Sequence, residues 1–139
     1  MSERDSLMTD PQQAGLFVKE TKVDMLAVTI GNVHGKYSAL PELDFARLEA
    51  IQLQVPADMP LVLHGASGLS PDWIHGSMKR GVCKFNVNTD LREAMLDHQR
   101  LFFTREDQSE ADILQAMAGA TDAMSTVAAE KIRLFSGGR

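Results

Sequence analysis

The chain of 139 residues has one cysteine, one tryptophan and one tyrosine, and aromatic residues make up only 6% of it. A lone thiol, Cys83, cannot close an intrachain disulfide, so a disulfide-stapled secreted scaffold is excluded and a reducing compartment is the default reading. Basic residues are outnumbered: 14 Lys and Arg stand against 19 Asp and Glu, for a formal net charge of −5. General nucleic-acid binding wants a basic face and is not expected. A small anionic ligand stays open, because a local pocket can be positive inside an acidic protein. No stretch reaches the about eighteen apolar residues of a membrane span. The opening "MSERDSLMTDPQQ" lacks the basic and apolar regions of a secretory signal, and Glu3, Asp5 and Asp10 are out of place in a transit peptide. The expectation is a soluble cytoplasmic protein with no nucleic-acid or membrane partner.

What is present fits a globular chain long enough for one ordinary domain, with 44% hydrophobic and 24% charged residues. Thr9 and Asp10 before Pro11 predict a helix start, with Ala14, Phe17, Val18 and Thr21 on one face. The run 23–30 is too continuously apolar to be half exposed and predicts a covered strand. Helical spacing returns over 43–55 through Phe45, Leu48, Ile51 or Gln52, and Val55. Residues 60–64 predict a second strand. Residues 70–81 predict a helix capped by Ser70, with Pro71 first and Gly81 as its stop. A third strand follows over 82–87, then a helix over 89–103 with Thr89 as cap. A last helix runs from about Ser109 to Phe135 on a stripe of Ile113, Met117, Ala120, Met124 and Val127. Residues 1–8 and 136–139 read as disordered tails. Strands joined by crossover helices make an α/β fold with a parallel sheet. Three strands are few for a free-standing domain and suit a piece of a larger sheet or barrel.

Each strand ends in a polar, glycine-rich stretch: "GNVHG" after the first, "HGASG" after the second, "NVNTD" after the third. In a parallel sheet or barrel all carboxyl ends share one rim, where loops build the ligand site. His34, His64 and the segment from Asn86 to Thr89 are therefore expected in one place. Two neutral imidazoles suit zinc, whose catalytic sites take three protein ligands and keep an open position. Glycines beside them, and amides at a helix start, suit an anion. The plainer readings are polar strand ends, turn glycines and a helix cap. Of the other residues, His75 and His98 read as surface or packing histidines and Cys83 as a small core residue. Trp73 reads as packing its helix onto the sheet. Lys84 shares the face of Asn86 and, if that face points into a barrel, must find a partner or reach water; the plainer reading is a salt bridge with no catalytic part.

The stretches "VDMLAVTIGNVHGKY", "LDFARLEAI", "MPLVLHGASGL" and "GVCKFNVNTDLREA" resemble the C-terminal half of a class II, zinc-dependent ketose-bisphosphate aldolase. The wording is nearest the aldolase domain at the end of large multidomain plant-type proteins. The resemblance implies a partial TIM barrel over 1–139, with these strands as its sixth to eighth. It implies Zn2+ held by His34 and His64. It also implies that Gly35, Gly65, Ala66 and Ser67, then Asn86, Val87, Asn88 and Thr89, meet the phosphates of the substrate. The implied reaction is reversible cleavage of a fructose- or tagatose-bisphosphate to dihydroxyacetone phosphate and an aldehyde. Ala66 stands where a glycine is usual, and Asn88 where aspartate or alanine is common. The family's first zinc histidine and its proton-moving aspartate belong to the first half of the barrel, so no catalytic residue is assigned here. The chain is expected to be inactive alone, and either to form homo-oligomers or to need the missing half-barrel. The alternative is a non-catalytic half-barrel that binds a phosphorylated sugar or a partner chain.

Overall fold

The computed structural model describes residues 7–33, 42–104 and 112–137. The chain divides into two compact units, with the boundary between Val87 and Asn88.

The first unit contains α1 (Pro11–Thr21), β1 (Leu26–Val28), α2 (Phe45–Gln52), β2 (Leu61–Leu63), α3 (Pro71–Met78) and β3 (Val82–Phe85). The strands form one parallel sheet in the order β1-β2-β3. Each helix starts where a short polar side chain can satisfy a first-turn amide. Asp10 accepts from Gln13 N–H at 2.9 Å, Asp44 from Arg47 N–H at 2.8 Å, and Ser70 from Trp73 N–H at 3.4 Å. Gly81 ends the α3 turn at φ +86°, in the left-handed region that glycine enters without a Cβ clash.

The central strand β2 is buried at all three positions, and Ile30, Leu48, Ile51 and Ile74 fill the core on its flanks. The strands are shorter than the apolar runs suggested. Beyond Val28 the chain turns aside: the Thr29 amide donates to the Thr9 hydroxyl and the Ile30 amide to the Asn32 side chain, each at 2.8 Å. Phe17, expected on the buried face of α1, is 49% exposed, and Ala14 and Val18 carry that contact instead.

Trp73 is half-buried and packs against Phe45 of α2 at a tilt, with ring centroids 5.0 Å apart, while its neighbour Ile74 is fully buried. One further expectation is corrected. Cys83 is exposed rather than in the core. It lies on the edge strand, beside a shift of register between Leu61 and Val62, and its thiol points at the Leu61 carbonyl at 3.6 Å.

The second unit is a helical hairpin of α4 (Thr89–Phe103) and α5 (Ile113–Phe135). Residues 105–111 lie outside the described part, so the predicted start near Ser109 does too; Asp112 caps α5 by accepting from Leu114 N–H at 2.8 Å. The predicted stripe on α5 holds at Ala120, which is buried, and at Met124 and Val127, which are half-buried, but not at its first two positions. Ile113 and Met117 are 59% and 57% exposed, and the buried residues are Ala116 and Ala120. Small residues form the seam because α4 comes close: a Cβ on Gly119 would lie 2.3 Å from Nε2 of His98. His98 is thus a packing residue, stacked on Phe102, whereas His75 is exposed.

Candidate functional site

His64 directly follows β2 and is half-buried at its carboxyl end. Side chains from both neighbouring strand ends hold it. From the β1 side, Asn32 accepts from the Ile30 amide at 2.8 Å and donates through Nδ2 to the His64 carbonyl at 3.1 Å. Asn32 is itself buried, and Gly31 makes the turn before it at φ +98°. From the β3 side, Nδ2 of Asn86 lies 3.2 Å from Nδ1 and 3.1 Å from Nε2 of the His64 ring. The ammonium of Lys84 donates to Oδ1 of Asn86, which turns the amide nitrogen toward the imidazole. The Asn86 amide is thus nearly equidistant from both ring nitrogens and holds the imidazole in place from the β3 side. Lys84 therefore finds its partner in the Asn86 amide rather than in the salt bridge of the plainer reading.

The loop after His64 is wound tightly. Gly65 and Gly68 have φ of +67° and +79°, where a side chain would strain the backbone. Ala66 and Ser67 between them are 1% and 4% exposed. The Ala66 amide donates to the Asn86 carbonyl at 3.2 Å, and the Asn86 amide to the Leu63 carbonyl at 3.0 Å. The loop is thus stitched to the end of β3, and the Ala66 amide is engaged within the protein.

Of the residues singled out from the sequence, His64, Gly65, Ala66, Ser67 and Asn86 come together at this rim, and Val87 closes the first unit. His34 and Gly35 lie outside the described residues. Asn88 and Thr89 open the second unit. There the expected cap is displaced by one position: Asn88 takes the N-cap place without a side-chain cap hydrogen bond, and Thr89 is the first helical residue. Among the described residues no group of three or more His, Cys, Asp or Glu could hold a metal. His64 offers such a site one imidazole. Asn32 is the residue that sequence reasoning missed. The only local signal was a short amide after a strand-ending glycine, and its partner lies 32 residues away along the chain.

Parallel strands covered by helices, with a histidine and two asparagines gathered at their carboxyl ends, place the chain among α/β proteins whose sites lie at the strand tips. Comparison with known proteins makes this specific. Residues 1–138 match the family described as class-II fructose-bisphosphate aldolase. The chain belongs to that family. Among solved structures it is similar to the YdjI aldolase from Escherichia coli K12, at 35% identity and TM-score 0.76, covering 91% of this chain and 44% of that one. It is similar also to a structure from Coccidioides immitis assigned as a fructose-1,6-bisphosphate aldolase, at 32% identity and TM-score 0.78, covering 92% of this chain and 42% of the other. At 20% identity, fructose-bisphosphate aldolase from Campylobacter jejuni shares the fold, with TM-score 0.73, covering 94% and 46%. The chain therefore spans less than half the length of these structures. No described helix is long and apolar enough to cross a membrane.

Proposed function

We propose that this chain is the C-terminal half of a class II aldolase (β/α)8 barrel, with β1, β2 and β3 as its sixth, seventh and eighth strands. In the completed barrel it supports reversible aldol cleavage of a ketose bisphosphate, of the fructose or tagatose type, to dihydroxyacetone phosphate and an aldehyde. The observation that carries this reading is the His64 imidazole held at the carboxyl end of β2 between Asn32 and Asn86, side chains from both flanking strand ends.

In this reading His64, with His34 from the matching "GNVHG" motif, supplies two zinc ligands. Zinc bound there acts as a Lewis acid on the substrate ketone. Gly35, Gly65, Ala66 and Ser67 shape the loop that receives one phosphate. Of these, Ala66 contributes its small size, since its amide is already bonded to Asn86. Asn86, Val87, Asn88 and Thr89 form the second phosphate stretch. The first-turn amides of α4, left without a side-chain cap, are the donors an anion needs. No residue described here is proposed as the proton-moving base.

The second reading is a non-catalytic half-barrel that binds a phosphorylated sugar or a partner chain. Calorimetric titration with Zn2+ separates the two. The aldolase reading expects wild-type binding that is lost in both His34→Ala and His64→Ala. It also expects no measurable cleavage of fructose 1,6-bisphosphate by this chain alone with zinc present. Zinc binding that survives His64→Ala unchanged rules out the proposed ligand.

A further inference from the structure

We propose that Asn32 is a positioning residue that fixes the plane of the peptide joining His64 to Gly65. It thereby sets both the direction of the His64 side chain and the orientation of the Gly65 amide. The inference rests on the reading of His64 as a metal ligand, but its geometric part stands on its own.

The peptide in question is flanked by glycine. Gly65, at φ +67°, has no Cβ to restrict it, and a bond flanked by glycine can turn over while its neighbours hardly move. His64 lies just beyond the regular strand, which ends at Leu63. Asn32 restrains it from the β1 side. Its Nδ2 holds the His64 carbonyl at 3.1 Å, and its Oδ1 is anchored on the Ile30 amide at 2.8 Å. Because the side chain is buried, water does not compete for either bond. In a trans peptide the carbonyl and the following N–H point in opposite directions. Holding the His64 carbonyl toward β1 therefore aims the Gly65 N–H away from it. One amide side chain thus couples the candidate metal ligand to the first residue of the candidate phosphate loop.

The asparagine does what its nearest relatives cannot. An ionised aspartate of the same shape keeps the acceptor for Ile30 but has no N–H for His64, and it turns a carboxylate oxygen toward a carbonyl. Alanine loses both bonds. If the residue merely closed the turn after β1, aspartate would replace it. If it positions the peptide, aspartate fails.

The test uses the full chain as wild type, Asn32→Ala and Asn32→Asp, with circular dichroism to show that each is folded. Two readouts are taken: the Gly65 amide cross-peak in 1H–15N spectra of metal-free protein, and Zn2+ affinity by calorimetry. The expected result is a displaced or broadened Gly65 cross-peak in both variants, and zinc binding weakened roughly 10–100-fold, as for other residues that orient metal ligands. A Gly65 cross-peak unmoved in Asn32→Asp overturns the proposal, as does wild-type zinc affinity in that variant. If wild type and His64→Ala take up zinc equally, the metal reading falls, and the Gly65 cross-peak alone then decides the role of Asn32.

Discussion

Lys22 closes α1 in a conformation that suits it poorly. Its φ of 54° and ψ of 41° are left-handed, and its amide donates to the Val18 carbonyl at 2.9 Å, so it occupies the place where helices commonly end on glycine. A Cβ in that region costs about 1–2 kcal/mol. Glycine removes the strain but leaves a more flexible unfolded chain, which takes back part of the gain. Lys22→Gly is therefore expected to stabilise the protein by about 0.5–1 kcal/mol, read as a rise of a few degrees in thermal midpoint. A lower midpoint would mean that the lysine side chain contributes more than its backbone costs. At this scale the sequence was legible where a residue acts on its own neighbours. Asp10 and Ser70 sit at the helix starts because each cap bond spans three residues. Asn32 was not legible, because its meaning depends on a carbonyl that folding brings to it.

Helices pack through whichever residues let them come close, and those are not always the large apolar ones. The buried seam on α5 is Ala116 and Ala120, whereas the longer Ile113 and Met117 face outward. Periodicity identified the helix and the Ala120 part of its stripe but misassigned Ile113 and Met117, since spacing alone does not say which side a neighbour covers. The same limit shortened the strands: an apolar run marks burial, whereas a ladder ends where a side chain such as Asn32 or Thr9 captures the backbone. The contact between α1 and the segment after α2 shows how little space such packing leaves. A Cβ on Gly15 would lie 2.6 Å from the Gln54 backbone oxygen, and a main-chain atom cannot swing aside. Gly15→Ala would by helix propensity alone gain up to about 1 kcal/mol. The expected outcome is the opposite sign, a net loss of about 1–3 kcal/mol from overpacking, measured by urea denaturation. A stabilised variant would show that α1 has room to shift away from Gln54.

For the molecule as a whole the decisive feature is a parallel sheet with a finished centre and an available edge. β2 is buried throughout, but β1 and β3 are edge strands, with Ala27, Cys83 and Lys84 exposed on them. Backbone direction alternates along β1. Leu26 donates to Pro60, toward β2, so the N–H and C=O of Ala27 and Thr29 point outward. Thr9 takes both outward groups of Thr29, its amide donating to the carbonyl and its hydroxyl accepting from the amide. Ala27 has no such partner among the described residues. An edge of this kind recruits a further strand. The chain covers 44% of the YdjI aldolase chain, so a relative of that length has the polypeptide to supply one. Co-expression of this chain with a polypeptide carrying the first half of the same fold is the direct trial. The expected product is a one-to-one complex by size-exclusion chromatography with light scattering, with a higher thermal midpoint than this chain alone and with zinc-dependent cleavage of fructose 1,6-bisphosphate. An Ala27→Pro variant, which removes the outward N–H, should weaken that complex more than it lowers the midpoint of the isolated chain. If this chain is instead a monodisperse monomer that ignores the co-expressed half, the edge is closed by other means and the half-barrel reading fails at the scale where it makes its strongest claim.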